Sequence, residues 1–373
     1  MKFLIVSHVG HSQKGELIYG YGPYVKEMNL WLKYVDEVRI VAPIEKVDPN
    51  AIDLAYKHEN IWFNRVPAFN LIGKVSKIRT LLLLPYIFAR IFIAMMWAEH
   101  IHLRCPGNIG LIGSIAQLFF PWKKKTVKYA GNWDPNSPQP LSYRIQKWIL
   151  SNSVLSRNIK VLVYGKWPEQ SKNIVEFFTA SYLDSEKVEI EPRKIDEEIK
   201  LVFVGALSLG KRPLVALQTL DELIRQGTKA RLDIMGEGAE REALEEYIDE
   251  NKLSEYVTLH GNKNSDFVKD KFKSSHFLIL MSQSEGWPKV VAEAMFWGSV
   301  PLTTKVSCVD YMIGEGSRGC LVAADGKSVA NVIEEYKSKP FSYKEASLNA
   351  MQWSRAFTLD SFESAIKDLL NER

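Results

Sequence analysis

Along the chain, short runs of large and β-branched apolar residues alternate with longer stretches whose apolar positions fall three and four apart, the periods of strand and helix. The runs Lys2–Ser7, Val38–Ala42, Ile61–Val66, His100–Cys105, Thr126–Ala130 and Lys160–Tyr164 predict strands in the first half. Amphipathic stretches at Tyr24–Tyr34, Gly107–Phe119, Leu141–Ser153 and Glu169–Phe178 predict the helices between them. A polar, proline-bearing segment, Glu191–Lys200, reads as a linker, and after it the alternation restarts. Strands are predicted at Leu201–Gly205, Ala230–Met235, Val257–Gly261, Phe277–Met281, Val300–Thr303 and Cys320–Val322. Helices are predicted near Arg212–Gln226, Glu240–Glu250, Asp266–Ser274 and Lys289–Trp297, and two more after Tyr343. Strands that alternate with helices form parallel sheets covered on both faces. The expected class is therefore α/β, with two Rossmann-like parallel-sheet domains facing across a cleft. Ligands of such sheets bind outside the carboxyl ends of the strands, so an anionic ligand between the domains is expected.

The chain's 373 residues suffice for two domains, and a composition 46% apolar and 25% charged excludes a disordered or fibrous protein. Cys105, Cys308 and Cys320 are odd in number, far apart and free of any C-x-x-C pair. That argues against a disulfide framework or a zinc ribbon and suits a reducing compartment. The opening MKFLIVSHVG has too short an apolar run for a signal-peptide core. The expected location is the cytoplasm. Leu81–Ile101 carries Pro85, Arg90 and Glu99. A charge at a bilayer centre costs about 2.5–3.5 kcal/mol, so this segment reads as a core or interfacial helix rather than a span.

Charge is uneven. Residues 1–195 hold 26 Lys and Arg against 16 Asp and Glu, while the remainder holds 22 against 28. Much of the excess lies in 51–150, including Lys74, Lys77, Arg79 and the run Lys123-Lys124-Lys125. Such a tract serves either as a solvated basic face or as an attraction to an anionic membrane surface, worth about 1 kcal/mol per basic residue. The second reading places the protein peripherally at the inner face of the cytoplasmic membrane. The basic residues are not interleaved with aromatics as in RNA-binding motifs, so nucleic acid is not an expected partner.

The most informative stretch is Ser282–Gly298, SQSEGWPKVVAEAMFWG, which follows a predicted strand and opens a predicted helix. Pro288 suits a first helical turn, and Gly286 allows a ligand close to the backbone. The free N–H groups of that turn, with the helix dipole, suit a diphosphate. Glu285 and Glu293 stand eight residues apart, about 12 Å along a helix axis. One carboxylate could then accept from sugar hydroxyls and the other from ribose hydroxyls.

The segment resembles the E-x7-E signature of retaining GT-B glycosyltransferases, in particular family 4 (glycosyl transferases group 1). Ser282, Glu285, Gly286, Pro288, Glu293, Ala294, Met295 and Gly298 match, and Trp287 stands where Phe is usual. The stretch Val204–Lys211 resembles the family's V-G-R-L-x-x-x-K loop, Met235–Gly238 its G-x-G turn, and Val257–Gly261 the strand before the base pocket. The resemblance implies a GT-B fold with an acceptor-side domain over 1–192, a donor domain over 199–355 and a carboxyl-terminal helix over 356–373 packing back on the first domain. It also implies Glu285 as the catalytic residue, positioning the donor sugar. Lys211 and Arg212, with Gly22, Gly286, Trp287, Pro288, Lys289 and Glu293, would bind the donor. Gly20, Asn132 and Asp134 would lie on the acceptor or sugar side, Gly20 and Gly22 within a glycine-rich loop from His8 to Pro23.

Two positions depart from the family pattern. Ala206 stands where the family's loop carries Arg, and no His follows the strand Thr126–Ala130, where Asn132 and Asp134 offer hydrogen bonds or turn caps instead. His100 and His102 are expected to face opposite sides of their strand, as core or surface residues. No D-x-D or H-E-x-x-H occurs, so neither a metal nor a cofactor is expected. The implied reaction moves a sugar from a nucleotide-diphospho-sugar to a saccharide or lipid-linked acceptor with retention, in cell-envelope or surface polysaccharide synthesis. A nucleotide-sugar epimerase of the same architecture and a non-catalytic nucleotide-sugar-binding protein are the alternatives.

Overall fold

The computed structural model describes every residue except 46, 51, 70–73, 169, 196–197 and 372–373, and the backbone alone over 74–81. It divides into two compact units, Met1–Phe178 with Glu363–Arg373, and Thr179–Phe362.

In the first unit, strands β1 (Lys2–Val6), β4 (Glu37–Ala42), β6 (Ile61–Arg65), β7 (His100–Cys105), β8 (Lys124–Tyr129), β9 (Ile159–Tyr164) and β10 (Ile174–Phe177) form one parallel sheet in the order β10-β9-β8-β7-β1-β4-β6. Strand β1 is a near-continuous apolar run, as befits a strand covered on both faces, whereas β7 and β8 beside it bury polar residues such as His100, His102 and Thr126. Phe3 through Val6 are wholly buried. Helices α1 (Gly22–Leu32), α2 (Lys74–Trp97), α3 (Asn108–Ala116) and α4 (Leu141–Ser151) accompany the sheet. Among the described residues no helix is long and apolar enough to cross a membrane. Helix α2 instead buries Ile87, Ile91, Ala94 and Met95, one face at helical spacing, in the sheet's core.

Several expectations are corrected here. The loop expected from His8 to Pro23 is a hairpin, β2 (His11–Lys14) and β3 (Leu17–Tyr21), joined by β5 (Asp53–Ala55) into a small antiparallel sheet. Gly15, at φ +62°, takes the first position of its two-residue turn, the place where a type II′ hairpin requires glycine. The helix expected over Glu169–Phe178 does not form in its described residues; instead Ile174–Phe177, with the β-branched pair Ile174-Val175, makes strand β10 and extends the sheet edge at β9; Glu169 lies outside the described residues. His100 and His102 share one face, since side chains two apart on a strand point the same way. Both rings contact Thr126 Oγ1 at 2.9 Å. Of the lysine run, Lys123 Nζ caps the end of α2 by donating to the carbonyls of Met95, Met96 and Ala98 at 2.6–2.7 Å. Lys125 is buried and donates to the Phe120 carbonyl at 2.7 Å. Two of the three cations are therefore spent inside the fold.

The second unit repeats the architecture. Strands β11 (Ile199–Val204), β12 (Ala230–Met235), β13 (Val257–Gly261), β14 (Phe277–Leu280), β15 (Val300–Thr303) and β16 (Cys320–Leu321) run parallel in the order β13-β12-β11-β14-β15-β16. Its helices are α5 (Pro213–Arg225), α6 (Arg241–Glu250), α7 (Ser265–Ser274), α8 (Lys289–Phe296), α9 (Val309–Ile313), α10 (Gly326–Ser338) and α11 (Pro340–Ser354). The pattern reading missed α9 and α10. Helix α12 (Leu359–Asn371) begins in this unit, and from Glu363 onward it counts with the first, where Glu363 accepts from Lys33 Nζ and Tyr34 Oη at 2.7 Å.

Residues 179–195 fold with the second unit, so much of the segment read as a linker is anchored. Arg193 donates to the Phe272 and Trp297 carbonyls at 2.8 Å, to Gly298 at 3.1 Å, and through Nε to Lys273 at 2.7 Å. One guanidinium thus satisfies carbonyls at the carboxyl ends of both α7 and α8, where the helix dipoles favour a cation.

Candidate active site

At the carboxyl end of the second sheet, three loops meet. The first follows β11, where the chain turns through Ser208, whose carbonyl accepts from the Lys211 and Arg212 amides at 2.9 and 3.1 Å. Arg212 adopts the left-handed conformation at the head of α5, with Pro213 next. The second loop is the Gly236-Glu237-Gly238 turn after β12. Here the backbones nearly touch: a Cβ on Gly236, at φ +145°, would lie 1.8 Å from the Gly205 carbonyl oxygen, and one on Gly238 would lie 2.2 Å from that of Leu207. Glycine is required by proximity. Hydrogen bonds from Leu207 N to Glu237 O and from Glu240 N to Leu207 O, both 3.0 Å, lock the two loops.

The third loop, 281–288, joins β14 to α8. Gln283 N donates to Gly210 O at 2.8 Å, which ties it to the first loop. From the loop after β15, Thr304 Oγ1 donates to Ser282 O at 2.6 Å and Ser307 Oγ to Gly286 O at 2.8 Å. Cys308 Sγ approaches the same Gly286 carbonyl at 3.3 Å, and burial pushes its thiol up to about 12, so it serves as a neutral donor. The loop is thereby held from outside at Ser282, Gln283 and Gly286.

Lys211 and Glu285 are brought together on that scaffold, the Lys211 Nζ donating to Glu285 Oε1 in a half-buried ion pair. The tip of the glycine-bearing turn and the start of α8 lie beside it in sequence. Pro288 is the residue capping α8, one place before the first turn expected for it, and Lys289 is the first helical residue. Trp287 is buried: its ring stacks on Trp353 of α11 at 6.1 Å and meets Phe357 edge-on at 5.7 Å. Its side chain packs the loop against α11, while Gly286 leaves the backbone accessible to neighbours.

Glu293 lies one turn and more into α8, and its carboxylate accepts from Ser181 Oγ. Lys289, four residues before it and hence on the same helix face, lines the same small pocket with Ser181, Tyr182 and Phe357. Burial raises the Tyr182 phenol, with the Glu293 charge adding to it, so this hydroxyl stays protonated. Nearby in the sheet, Asp233 on β12 holds His260 at 2.5 Å and Lys271 at 2.7 Å, fixing the imidazole at the end of β13.

The remaining sequence candidates lie in the first unit. Gly20 is in β3 opposite His11, and Gly22 opens α1, where a Cβ would lie 2.3 Å from the Ile52 carbonyl. Asn132 Oδ1 accepts from the Asp134 amide and Asp134 Oδ1 from the Asn136 amide, each at 2.8 Å, so both hold successive turns. Ala206 is exposed. Ser181, Arg193, Ser307 and Trp353 support the site and were invisible to pattern reading, because each acts on a residue distant in the chain.

Residues 184–353 match the family described as glycosyl transferases group 1. The D-inositol 3-phosphate glycosyltransferase of Arthrobacter is 27% identical over 186 residues, covering 46% of this chain and 44% of that one. The poly(glycerol-phosphate) alpha-glucosyltransferase of Bacillus subtilis is 22% identical over 53% of this chain and 30% of that protein. The chain thus spans under half the length of the curated relatives it matches. Among solved structures, HepE of Anabaena in complex with UDP superposes with a TM-score of 0.68 at 14% identity, covering 99% of both chains. The sucrose-phosphate synthase of Thermosynechococcus elongatus gives 0.68 at 16% identity over 99% and 98%. Over 184–353 the chain is similar to the group 1 glycosyltransferases, and as a whole it carries the GT-B fold.

Proposed function

We propose that the protein transfers a sugar, with retention of configuration and without a metal ion, from a nucleotide-diphospho-sugar to a glycan or lipid-linked glycan acceptor. The observation that carries this reading is the Lys211–Glu285 pair, set at the carboxyl end of the sheet beside the amino end of α8. A bound diphosphate would draw the Lys211 ammonium and the first-turn N–H groups of α8, a positioned clamp for the charge that develops on the leaving group. Glu285, released from Lys211, would accept from hydroxyls of the donor sugar. Glu293 would accept from the ribose, sharing or displacing Ser181. In the retaining step, the acceptor oxygen bonds to the anomeric carbon on the face the diphosphate leaves, and the acceptor proton passes to the departing phosphate oxygen. Retention rests on the resemblance of the E-x7-E segment.

Solved neighbours holding UDP or UDP-glucose support a uridine donor as the first to test. The poly(glycerol-phosphate) alpha-glucosyltransferase supports an envelope polymer or its lipid-linked precursor as acceptor. Contact with a membrane surface is supported by exposed apolar side chains on helices of the first unit, among them Tyr86, Ile93 and Met96 of α2 and Trp148 of α4.

The test is a thermal-shift panel of UDP-, GDP- and ADP-sugars followed by transfer assays with the best ligand. A ligand at a hundred times its Kd stabilises by about 2.7 kcal/mol. Transfer by the wild type, and its loss in Glu285→Ala with the melting temperature kept, is the expected result. Conversion of the donor with no acceptor present would instead favour an epimerase, and binding with neither transfer nor hydrolysis a non-catalytic protein. An inverted anomer in the product would overturn retention.

A further inference from the structure

The strand order of the first sheet reverses between β1 and β7: β4 and β6 lie on one side of β1, and β7 to β10 on the other. In open parallel sheets, ligands bind in the crevice outside the strand carboxyl ends at such a switch point. Val6 and Leu103 are the last residues that the two strands pair, so Ser7 and His8 form one lip of the crevice and Arg104 and Cys105 the other.

Arg104 shares a face of β7 with His102, two residues earlier. Helix α1 covers that face, and the Arg104 guanidinium carbon lies 5.2 Å from the centre of the Tyr24 ring. An aromatic face holds a cation in place without neutralising it. Among the described residues no carboxylate pairs with Arg104, and none of its N–H donors is spent on a hydrogen bond. Glu27 of α1, which acts on Tyr24 and His102 and has a partner of its own, makes no ion pair with it. The side chain is half-buried, and from residue 100 to residue 133 the chain carries no acid.

Both lips are fixed by close packing. A Cβ on Gly110 of α3 would lie 2.7 Å from the Arg104 carbonyl oxygen, and one on Gly107 would lie 2.6 Å from His8 Nδ1. Desolvation, and then the Arg104 charge, hold the His8 imidazole below its usual range, so it remains a neutral ring with one N–H to donate. A guanidinium with unspent donors suits a planar or tetrahedral oxyanion, which it can grip through two oxygens at once.

We propose that Arg104 binds an anionic oxygen group of the acceptor, a phosphate or a carboxylate, and so selects charged acceptors over neutral saccharides. The assignment rests on the sugar-transfer reading, in which the first unit holds the acceptor.

Glycerol 3-phosphate and methyl glucuronide present the two kinds of oxyanion, and methyl glucoside is the neutral control. Each is titrated by calorimetry into the wild type, Arg104→Gln, Arg104→Lys and Arg157→Gln, with the His8 ring followed by NMR. Arg104→Gln is expected to weaken binding of the charged probe by about tenfold, the worth of a charged hydrogen bond, and Arg104→Lys to recover part of it. Arg157 is exposed beyond α4, and Arg157→Gln should change nothing. In the wild type the bound anion should move the His8 titration to higher pH, which decides the matter if Arg104→Gln does not fold. Preference for glycerol 3-phosphate assigns a phosphorylated acceptor, preference for the glucuronide an acidic sugar, and equal binding of the two an oxyanion read by charge alone. No binding of either charged probe, equal binding of methyl glucoside, or binding that ignores Arg104→Gln and leaves His8 unmoved overturns the proposal. Donor binding is read separately with UDP-sugars. Its absence from the wild type sinks the sugar-transfer reading and the acceptor role with it, whereas its presence beside a failed anion titration sinks this assignment alone.

Discussion

The Lys211 ammonium and the Glu285 carboxylate form an ion pair although 74 residues separate them in the chain. Two hydrogen-bonded loops make the meeting possible, through Gln283 N and Gly210 O. In a working donor site each partner has a second task, so their effects on turnover are coupled. Lys211→Ala and Glu285→Gln are each expected to lower kcat/KM by about a hundredfold or more, a range seen when one charge-stabilising group is removed. The double variant should lose much less than the product of the two. Strict additivity in steady-state kinetics would show that the pair does not act on one ligand.

Glu293 and Ser181 are the second polar pair of the site. Glu293→Ala should weaken nucleotide binding by about tenfold, the worth of a charged hydrogen bond, with a smaller effect on kcat. Ser181→Ala removes a competitor for the carboxylate and should leave the affinity equal or higher. Calorimetry with the nucleoside diphosphate reads both, and an unchanged affinity in Glu293→Ala would contradict a ribose role.

Trp287 is packed against Trp353 and Phe357. Trp287→Ala should cost about 3–5 kcal/mol of stability, whereas Trp287→Phe, the residue usual in the resembled family, should cost less than about 1.5 kcal/mol. Urea denaturation measures the difference. Equal losses would mean that the indole does more than fill space.

Arg193 closes the carbonyl ends of α7 and α8. Arg193→Ala leaves several carbonyls without their charged donor and should destabilise the second unit by about 3 kcal/mol. Arg193→Lys restores charge without the planar fork and should recover only part. Hydrogen exchange at the ends of α7 and α8 would localise the effect; protection equal to wild type there would refute it.

Burial holds three histidines of the first unit neutral, lowering His11 to about 4, His100 to about 3 and His102 further below its usual range. Below pH 6.5 the unfolded chain binds protons that the folded one refuses. Stability is therefore complete above that pH and falls as pH drops toward 4, each histidine contributing about 1 kcal/mol per unit. Denaturation midpoints for the first unit at pH 7.5, 6 and 5 should decline accordingly, and a flat profile would show that these rings protonate in the folded state.

Local chemistry makes much of this protein legible in its sequence. Parallel strands buried on both faces announce themselves as apolar runs, and the segment from Ser282 to Gly298 carries its strand, turn and helix within one stretch of chain. The hairpin at Gly15 escapes pattern reading because β2 is four polar residues and the apolar β3 is only five residues long and runs straight into α1, and β10 because four residues carry too little periodicity to tell strand from helix. The faces of His100 and His102 follow from the two-residue repeat of a strand alone. What residues adjacent in sequence could not specify was partnership. Lys123 and Lys125 look like a surface charge, yet one ends a helix that stops 26 positions earlier and the other is buried under its own strand. The match of Lys211 to Glu285, of Ser181 to Glu293, and of Arg193 to two helix ends depends on how loops converge at a sheet's edge. That convergence is set by the packing of whole elements, which no local spacing encodes.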